Sequence, residues 1–223
     1  MRKSLAVCLL LVAVMLVGCQ TQSWRGTEYE PGAGRDADTP WCVHSGLFEL
    51  SVGVQGGFLA AENETLGSSS EEIDFETAAF RGNAFLGYMI NDTWEIGAFI
   101  ETANETWDPD DFDEVDVTGF GYGARLVYNF SNVTTDIVPY FALSGGFGNM
   151  TWDFDGDEYD ADRCFGQAGV GVRFFGWEQI CFNLEAYYRY VSDSIDDTVD
   201  GFAVKDTVVG NEGGLLFGVS VFF

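Results

Sequence analysis

Gly213-Gly-Leu-Leu-Phe-Gly-Val-Ser-Val-Phe-Phe223 closes the chain, and its alternation decides the fold. In an extended strand, successive side chains point to opposite faces. Leu215, Phe217, Val219, Val221 and Phe223 therefore share one face, and Gly214, Leu216, Gly218, Ser220 and Phe222 the other. The chain carries 36 acidic and 10 basic residues, a formal charge of −26. An apolar row running to the last residue of so acidic a protein implies that this strand faces something other than water.

The same alternation recurs upstream. Period-two patterning predicts eight strands, at 47–58, 77–90, 94–103, 117–130, 137–150, 163–175, 179–192 and 212–223. They are longer than strands of soluble sheets and match the roughly 9–11 residues that cross a bilayer with tilt. The connections alternate between short (91–93, 131–136, 176–178) and long (59–76, 104–116, 151–162, 193–211), the layout of a membrane barrel. Thr106-Trp-Asp-Pro-Asp110 and Thr151-Trp-Asp-Phe-Asp155 open two of the long connections, and a Gly-rich strand follows each. Abundant glycine (28), scarce proline (4) and 16% aromatic residues agree with β-structure.

Sorting the faces places the barrel in lipid. Phe120, Tyr122, Ala124, Leu126 and Tyr128 oppose Gly121, Gly123, Arg125, Val127 and Asn129. Ile180, Phe182, Leu184, Ala186, Tyr188 and Tyr190 oppose Cys181, Asn183, Glu185, Tyr187, Arg189 and Val191. Trp94, Ile96, Ala98 and Ile100 oppose Glu95, Gly97, Phe99 and Glu101. An eight-stranded barrel has room inside only for side chains, and eight aromatic rows overfill it. The apolar face therefore points outward. Trp94 and Trp177 at the short-turn end, with Trp107 and Trp152 at the other, predict two interfacial girdles.

The final stretch resembles the C-terminal assembly signal of bacterial outer-membrane barrels, with Gly218, Val221 and Phe223 in the matching positions and Leu216 departing from the usual polar residue. From residue 47 onward the pattern resembles the small OmpA/OmpX-type barrels. That resemblance implies an all-β, eight-stranded, antiparallel, up-and-down transmembrane barrel over 47–223. It also implies outer-membrane lipids and the barrel-assembly machinery as partners, and the bacterial cell outer membrane as location.

The N-terminus reads as export machinery. Arg2 and Lys3 precede an apolar run from Leu5 to Val17 that ends in Gly18-Cys19. Leu16-Val-Gly-Cys19 resembles the bacterial lipobox, which implies a signal peptide over 1–18 and palmitate-type acylation of Cys19. Residues 19–46, polar and irregular, read as the acylated N-terminus and a linker. Among the five cysteines no metal spacing appears, and Cys42, Cys164 and Cys181 do not make a disulfide framework.

The charged residues divide in two. On the inward face lie Arg81, Arg125, Arg173 and Arg189 with Glu49, Glu95, Glu101 and Glu185, an equal number of each sign. Unpaired charges in a narrow lumen are costly, so these are expected to pair, with Gln55, Asn83, Asn129, Gln167 and Asn183, into a polar plug. The long connections hold 24 of the 36 acids, with Lys205 their only base. That charge excludes nucleic acid as a partner. Asp153, Asp155, Asp157 and Asp160 offer hard oxygen ligands at close spacing, without the pattern of an EF-hand. They mark a candidate site for weak Ca²⁺ binding, against a simple solvated acidic surface. No other cofactor is implied.

Enzymatic small barrels, such as lipid A-modifying acyltransferases and omptin-type proteases, use a histidine. The one histidine here, His44, precedes the first strand, and no Ser–His pair is available inside the barrel. The sequence thus reads as a non-enzymatic barrel with a filled lumen and acidic surface loops, serving adhesion, membrane integrity or cation capture. A soluble lipocalin-like lipoprotein carrying an apolar ligand is the second reading, and an outer-membrane lipid-modifying enzyme the third.

Overall fold

Eight strands close into one barrel: β1 (Phe48–Thr65), β2 (Phe75–Met89), β3 (Trp94–Pro109), β4 (Val115–Asn129), β5 (Ile137–Phe154), β6 (Asp157–Trp177), β7 (Ile180–Val199) and β8 (Phe202–Phe222). The computed structural model describes residues 45–65, 75–109, 115–130, 137–154, 157–177, 179–199 and 202–223. The signal peptide, Cys19, the linker with His44, and Asp155 lie outside them. Each strand pairs antiparallel with its sequence neighbour, and β8 returns to β1.

Register fixes the shape. Stepping across partners from Val54 through Gly82, Thr102, Phe120, Asn149, Asp162, Ser194 and Thr207 returns to β1 at Glu64, ten residues further on. Over eight strands about 4.8 Å apart, that stagger tilts them by about 40°. The outward apolar row of β7, Ile180 to Tyr190, then stands about 25 Å tall, the height of the apolar band of a transmembrane barrel.

Short turns sit at one end. Asn91 caps the β2–β3 turn, its side-chain oxygen accepting from the backbone N–H of Thr93 (2.9 Å) and Trp94 (2.8 Å). Gly46, at φ 87°, is the one described glycine in the left-handed region and turns the chain into β1. The seam closes at the same end. Phe48 and Phe223 exchange backbone hydrogen bonds of 2.9 Å in each direction, and their rings stack 6.1 Å apart.

The strands run further than the sequence pattern predicts. Segments expected as long connections are mostly strand: β1 continues to Thr65, β3 to Pro109, β5 to Phe154 and β7 to Val199, while β6 starts at Asp157 and β8 at Phe202. The reason is an inversion of polarity at constant period. Above the apolar belt, Asn104, Asp116, Thr118, Asn149, Asp160, Asp162 and Asn211 point outward and are exposed. Their inward neighbours Ala103, Val115, Val117, Met150, Ala161, Val191 and Val208 are buried. Below the boundary the barrel is apolar outside; above it the outside turns polar, and an apolar cluster joins the buried charges inside. The upper barrel stands about 20 Å beyond the belt.

Trp152 corrects the girdle expectation. It is 1% exposed and belongs to the buried apolar cluster at the long-hairpin end, with Val115, Val117, Met150, Ala161 and Val208. Trp94 does face outward at the short-turn end, edge-on to Tyr128, which in turn meets Phe130. The side chains of Trp107 and Trp177 lie outside the described ones.

Candidate functional site: the sealed lumen

Every described arginine points into the barrel. Arg81, Arg163, Arg173 and Arg189 are buried, and the side chain of Arg125 is 15% exposed. The eight inward charges predicted from sequence all lie in the lumen. Four more join them: Arg163, Glu105, Asp193 and Glu212. Glu105 and Asp193 fall in segments that the pattern predicts as long connections. Their signal was phase, since Glu105 stands four residues beyond Glu101, and Asp193 four beyond Arg189, on the same inward rows. Five guanidinium groups thus meet seven carboxylates (Glu49, Glu95, Glu101, Glu105, Glu185, Asp193 and Glu212), an excess of two acids where the sequence suggested balance.

The lumen is layered. At the short-turn end, Met89, Val138, Cys181 and Phe222 form an apolar floor with Leu47 and Phe175. Above it one nitrogen of Arg173 donates to both Glu49 and Glu95, each at 2.8 Å. The Arg173 guanidinium lies 5.3 Å from the ring centres of both Tyr140 and Phe222. Glu49 also accepts from Ser220 (2.5 Å), itself reached by Asn183 (2.5 Å). Arg125 pairs with Glu185. Among these groups, a cavity of about 20 Å³ is lined by Glu49, Ser51, Asn83, Arg125, Tyr140 and Arg173, with room for about one water.

The middle layer is a double hydrogen bond from Arg189 to Glu101 (2.5 and 2.9 Å), with the guanidinium 3.8 Å above the ring of Phe165. Gln55 donates to Gln167 at 3.1 Å. The upper layer is a continuous chain. Tyr187 donates to Glu212; Arg81 bridges Glu212 (2.6 and 2.7 Å) and Glu105 (2.5 Å); Arg163 bridges Glu105 (2.6 and 3.1 Å) and Asp193 (2.7 Å twice). The apolar cluster around Trp152 and Met150 covers this end.

Glycine makes the space. The lumen holds more aromatic bulk than its radius suggests, because large side chains sit over glycines on neighbouring strands. A Cβ on Gly97 would lie 2.5 Å from the Phe85 ring, one on Gly123 2.8 Å from Phe99, and one on Gly146 2.9 Å from Phe165. Each of these glycines is thus a seat for a ring.

The candidate Ca²⁺ ligands fall on the β5–β6 hairpin. Asp153 and Asp160 face outward, on β5 and β6, and Asp157 begins β6. Among the described residues no group of three or more His, Cys, Asp or Glu is arranged to hold a metal ion. Asp153 does stand between two other acids across the sheet, Asp116 on β4 and Glu158 on β6. Gly218, at the seam, lets the β1 backbone approach: a Cβ there would lie 3.0 Å from the carbonyl oxygen of Val52. Val221 packs between Leu50 and Ile180. Cys164 is exposed and Cys181 is buried.

Residues 43–220 match the family model described as outer membrane protein beta-barrel domain. Among solved structures, the outer membrane protein OprG from Pseudomonas aeruginosa superposes with a TM-score of 0.60 at 16% identity, covering 82% of this chain and 98% of that one. The outer membrane protein AlkL, solved in lipid bilayers, superposes at 0.54 and 16% identity, covering 87% and 96%. No curated protein matches the chain.

Proposed function

The chain belongs to the outer membrane protein beta-barrel domain family and is a barrel of the bacterial outer membrane; from that premise we propose that it acts through its exterior, as a non-enzymatic surface protein whose lumen is shut. The observation that carries this reading is the occlusion of the lumen. Ion pairs cross it at three heights, and an apolar cluster closes each end. A solute or ion would have to break buried charge pairs to pass, and breaking one leaves an uncompensated buried charge at a cost of about 3–5 kcal/mol. The same filling occupies, with the described charged and aromatic side chains, the interior that a lipocalin-type ligand would need. With the one histidine ahead of the barrel, the fold also lacks the base that small barrel hydrolases and transferases use.

The working surface is then the upper barrel and its acidic hairpins, presented beyond the membrane for adhesion, membrane integrity or cation capture. Cys19, acylated, adds a second anchor at the short-turn end, where β1 begins. Purified protein reconstituted in planar bilayers is expected to give no stable conductance steps in moderate salt. Steady, large steps would replace this reading with that of a pore, lined by Glu101, Arg189 and their neighbours.

A further inference from the structure

The upper and lower layers of the lumen each hold two arginines and three carboxylates, but they are wired differently. In the upper layer every carboxylate accepts at least two hydrogen bonds: Glu212 from Arg81 and Tyr187, Glu105 from Arg81 and Arg163, and Asp193 twice from Arg163. The lower layer sets Arg125 and Arg173 against Glu49, Glu95 and Glu185. Arg125 serves Glu185, which leaves one guanidinium for Glu49 and Glu95. Both approach the same nitrogen, Nη2 of Arg173, at 2.8 Å. The two carboxyl groups are also within hydrogen-bonding reach of each other. Glu49 has a further donor in Ser220 (2.5 Å). Oε1 of Glu95, fully buried, has no hydrogen-bond partner among the described residues and lies over Gly87 beside the Phe85 ring.

We propose that Glu49 and Glu95 form a proton-binding site: one proton, held between the two carboxyl groups, is the resident ligand of the lower lumen. Ionised carboxylates only accept, so two of them hydrogen-bond to each other only when one is an acid. Without the proton, the layer encloses three negative charges and two positive ones above the apolar floor, and an uncompensated buried charge is costly. With it the charges balance, and the oxygen over Gly87 belongs to a neutral acid. The groups facing the pair are Arg125 on β4, Tyr140 on β5, Arg173 on β6, and Cys181 and Glu185 on β7. The described parts of β2 and β8 present Asn83, Phe85 and Ser220 here, none of them charged. The site rests on the closed-lumen reading and adds a pH-sensitive latch to it. As pH rises the proton leaves, two like charges come to share one guanidinium nitrogen, and the short-turn end of the seal loosens.

The test uses the full-length protein folded into phosphatidylcholine vesicles. Infrared spectra of the wild type at neutral pH are expected to show the carbonyl stretch of a protonated carboxyl group, and Glu95→Gln is expected to lack it. An acid band absent from the wild type, or unchanged in Glu95→Gln, overturns the proposal. Glutamine has the shape of the neutral acid, so stability gives a second reading. In urea at neutral pH, Glu95→Gln should leave the unfolding equilibrium constant within about threefold of the wild type, whereas Glu101→Gln, which removes the ionised partner of Arg189, should raise it about a hundredfold or more. Equal penalties, or a Glu95→Gln that does not fold, overturn the site. Raising the pH should bleach the acid band and destabilise the wild type relative to Glu95→Gln; Tyr140 and Cys181 are present in both proteins and cancel in the comparison. Parallel pH profiles overturn the latch. Conductance is a separate matter: a conducting barrel defeats the closed-lumen reading and leaves the infrared result standing.

Discussion

At the scale of single residues, Trp152 carries the upper end of the lumen. Phase on β5 puts it inward with Tyr140, Ala142, Gly148 and Met150, and burial confirms the placement. An interfacial reading of Trp152 rests on its residue type and on a strand ended at residue 150, four residues short of Phe154; phase is the stronger signal. Removing so large a buried side chain leaves a cavity that the surrounding β-ladder cannot collapse into. Trp152→Ala is expected to cost about 3–5 kcal/mol, measured by urea unfolding in vesicles. A loss below about 1 kcal/mol would show that the upper cluster does not hold the barrel. The glycine seats make a complementary case. A Cβ at Gly146 would press on the carbonyl oxygen of Tyr122 as well as on Phe165, so Gly146→Ala should destabilise through overpacking, by about 1–3 kcal/mol in the same measurement.

At the scale of elements, the strands show what the sequence could and could not disclose. Number, direction and facing of the eight strands are legible because a lipid-facing row alternates with a polar lumen row over the whole belt, as in Ile180 to Val191. Strand ends are not legible by hydrophobicity. Beyond the belt the outside meets water, the outward row becomes Thr, Asn and Asp, and a run such as Asp160-Ala-Asp162 looks like loop while remaining ladder. Only the unbroken period of two betrays it, which is why Glu105 and Asp193 are not legible as buried partners from hydrophobicity, while Arg163 lies within the strand predicted at 163–175. A single strand can test the inversion. Leu184→Arg, in the lipid row of β7, should cost about 2–4 kcal/mol, and Ser192→Arg, eight residues along the same row, about 0–1. Equal penalties at both positions would mean that the belt extends to Ser192; a neutral Leu184→Arg would take lipid off that face altogether.

At the scale of the molecule, charge is segregated by the fold. The described arginines are all inside, paired with carboxylates, so they do nothing to neutralise the exterior. Among the described acids of the long hairpins, Glu105 and Asp193 take part in these arginine pairs, on a protein of formal charge −26. Cross-strand rows such as Asp116, Asp153 and Glu158 place like charges directly opposite one another, which is destabilising unless ions gather there. Two outcomes are distinguishable. If carboxylates of neighbouring hairpins share a divalent cation, Ca²⁺ at about 10⁻⁴–10⁻³ M should slow proteolysis of the hairpins, and Na⁺ at equal ionic strength should do so much less. Replacing Asp153, Asp155 and Asp157 by Asn should then remove most of the difference. If Na⁺ protects equally, the ions act only by screening, and the exterior is an acidic, solvated surface that keeps the barrel soluble at its outer end and selects cationic partners by long-range attraction.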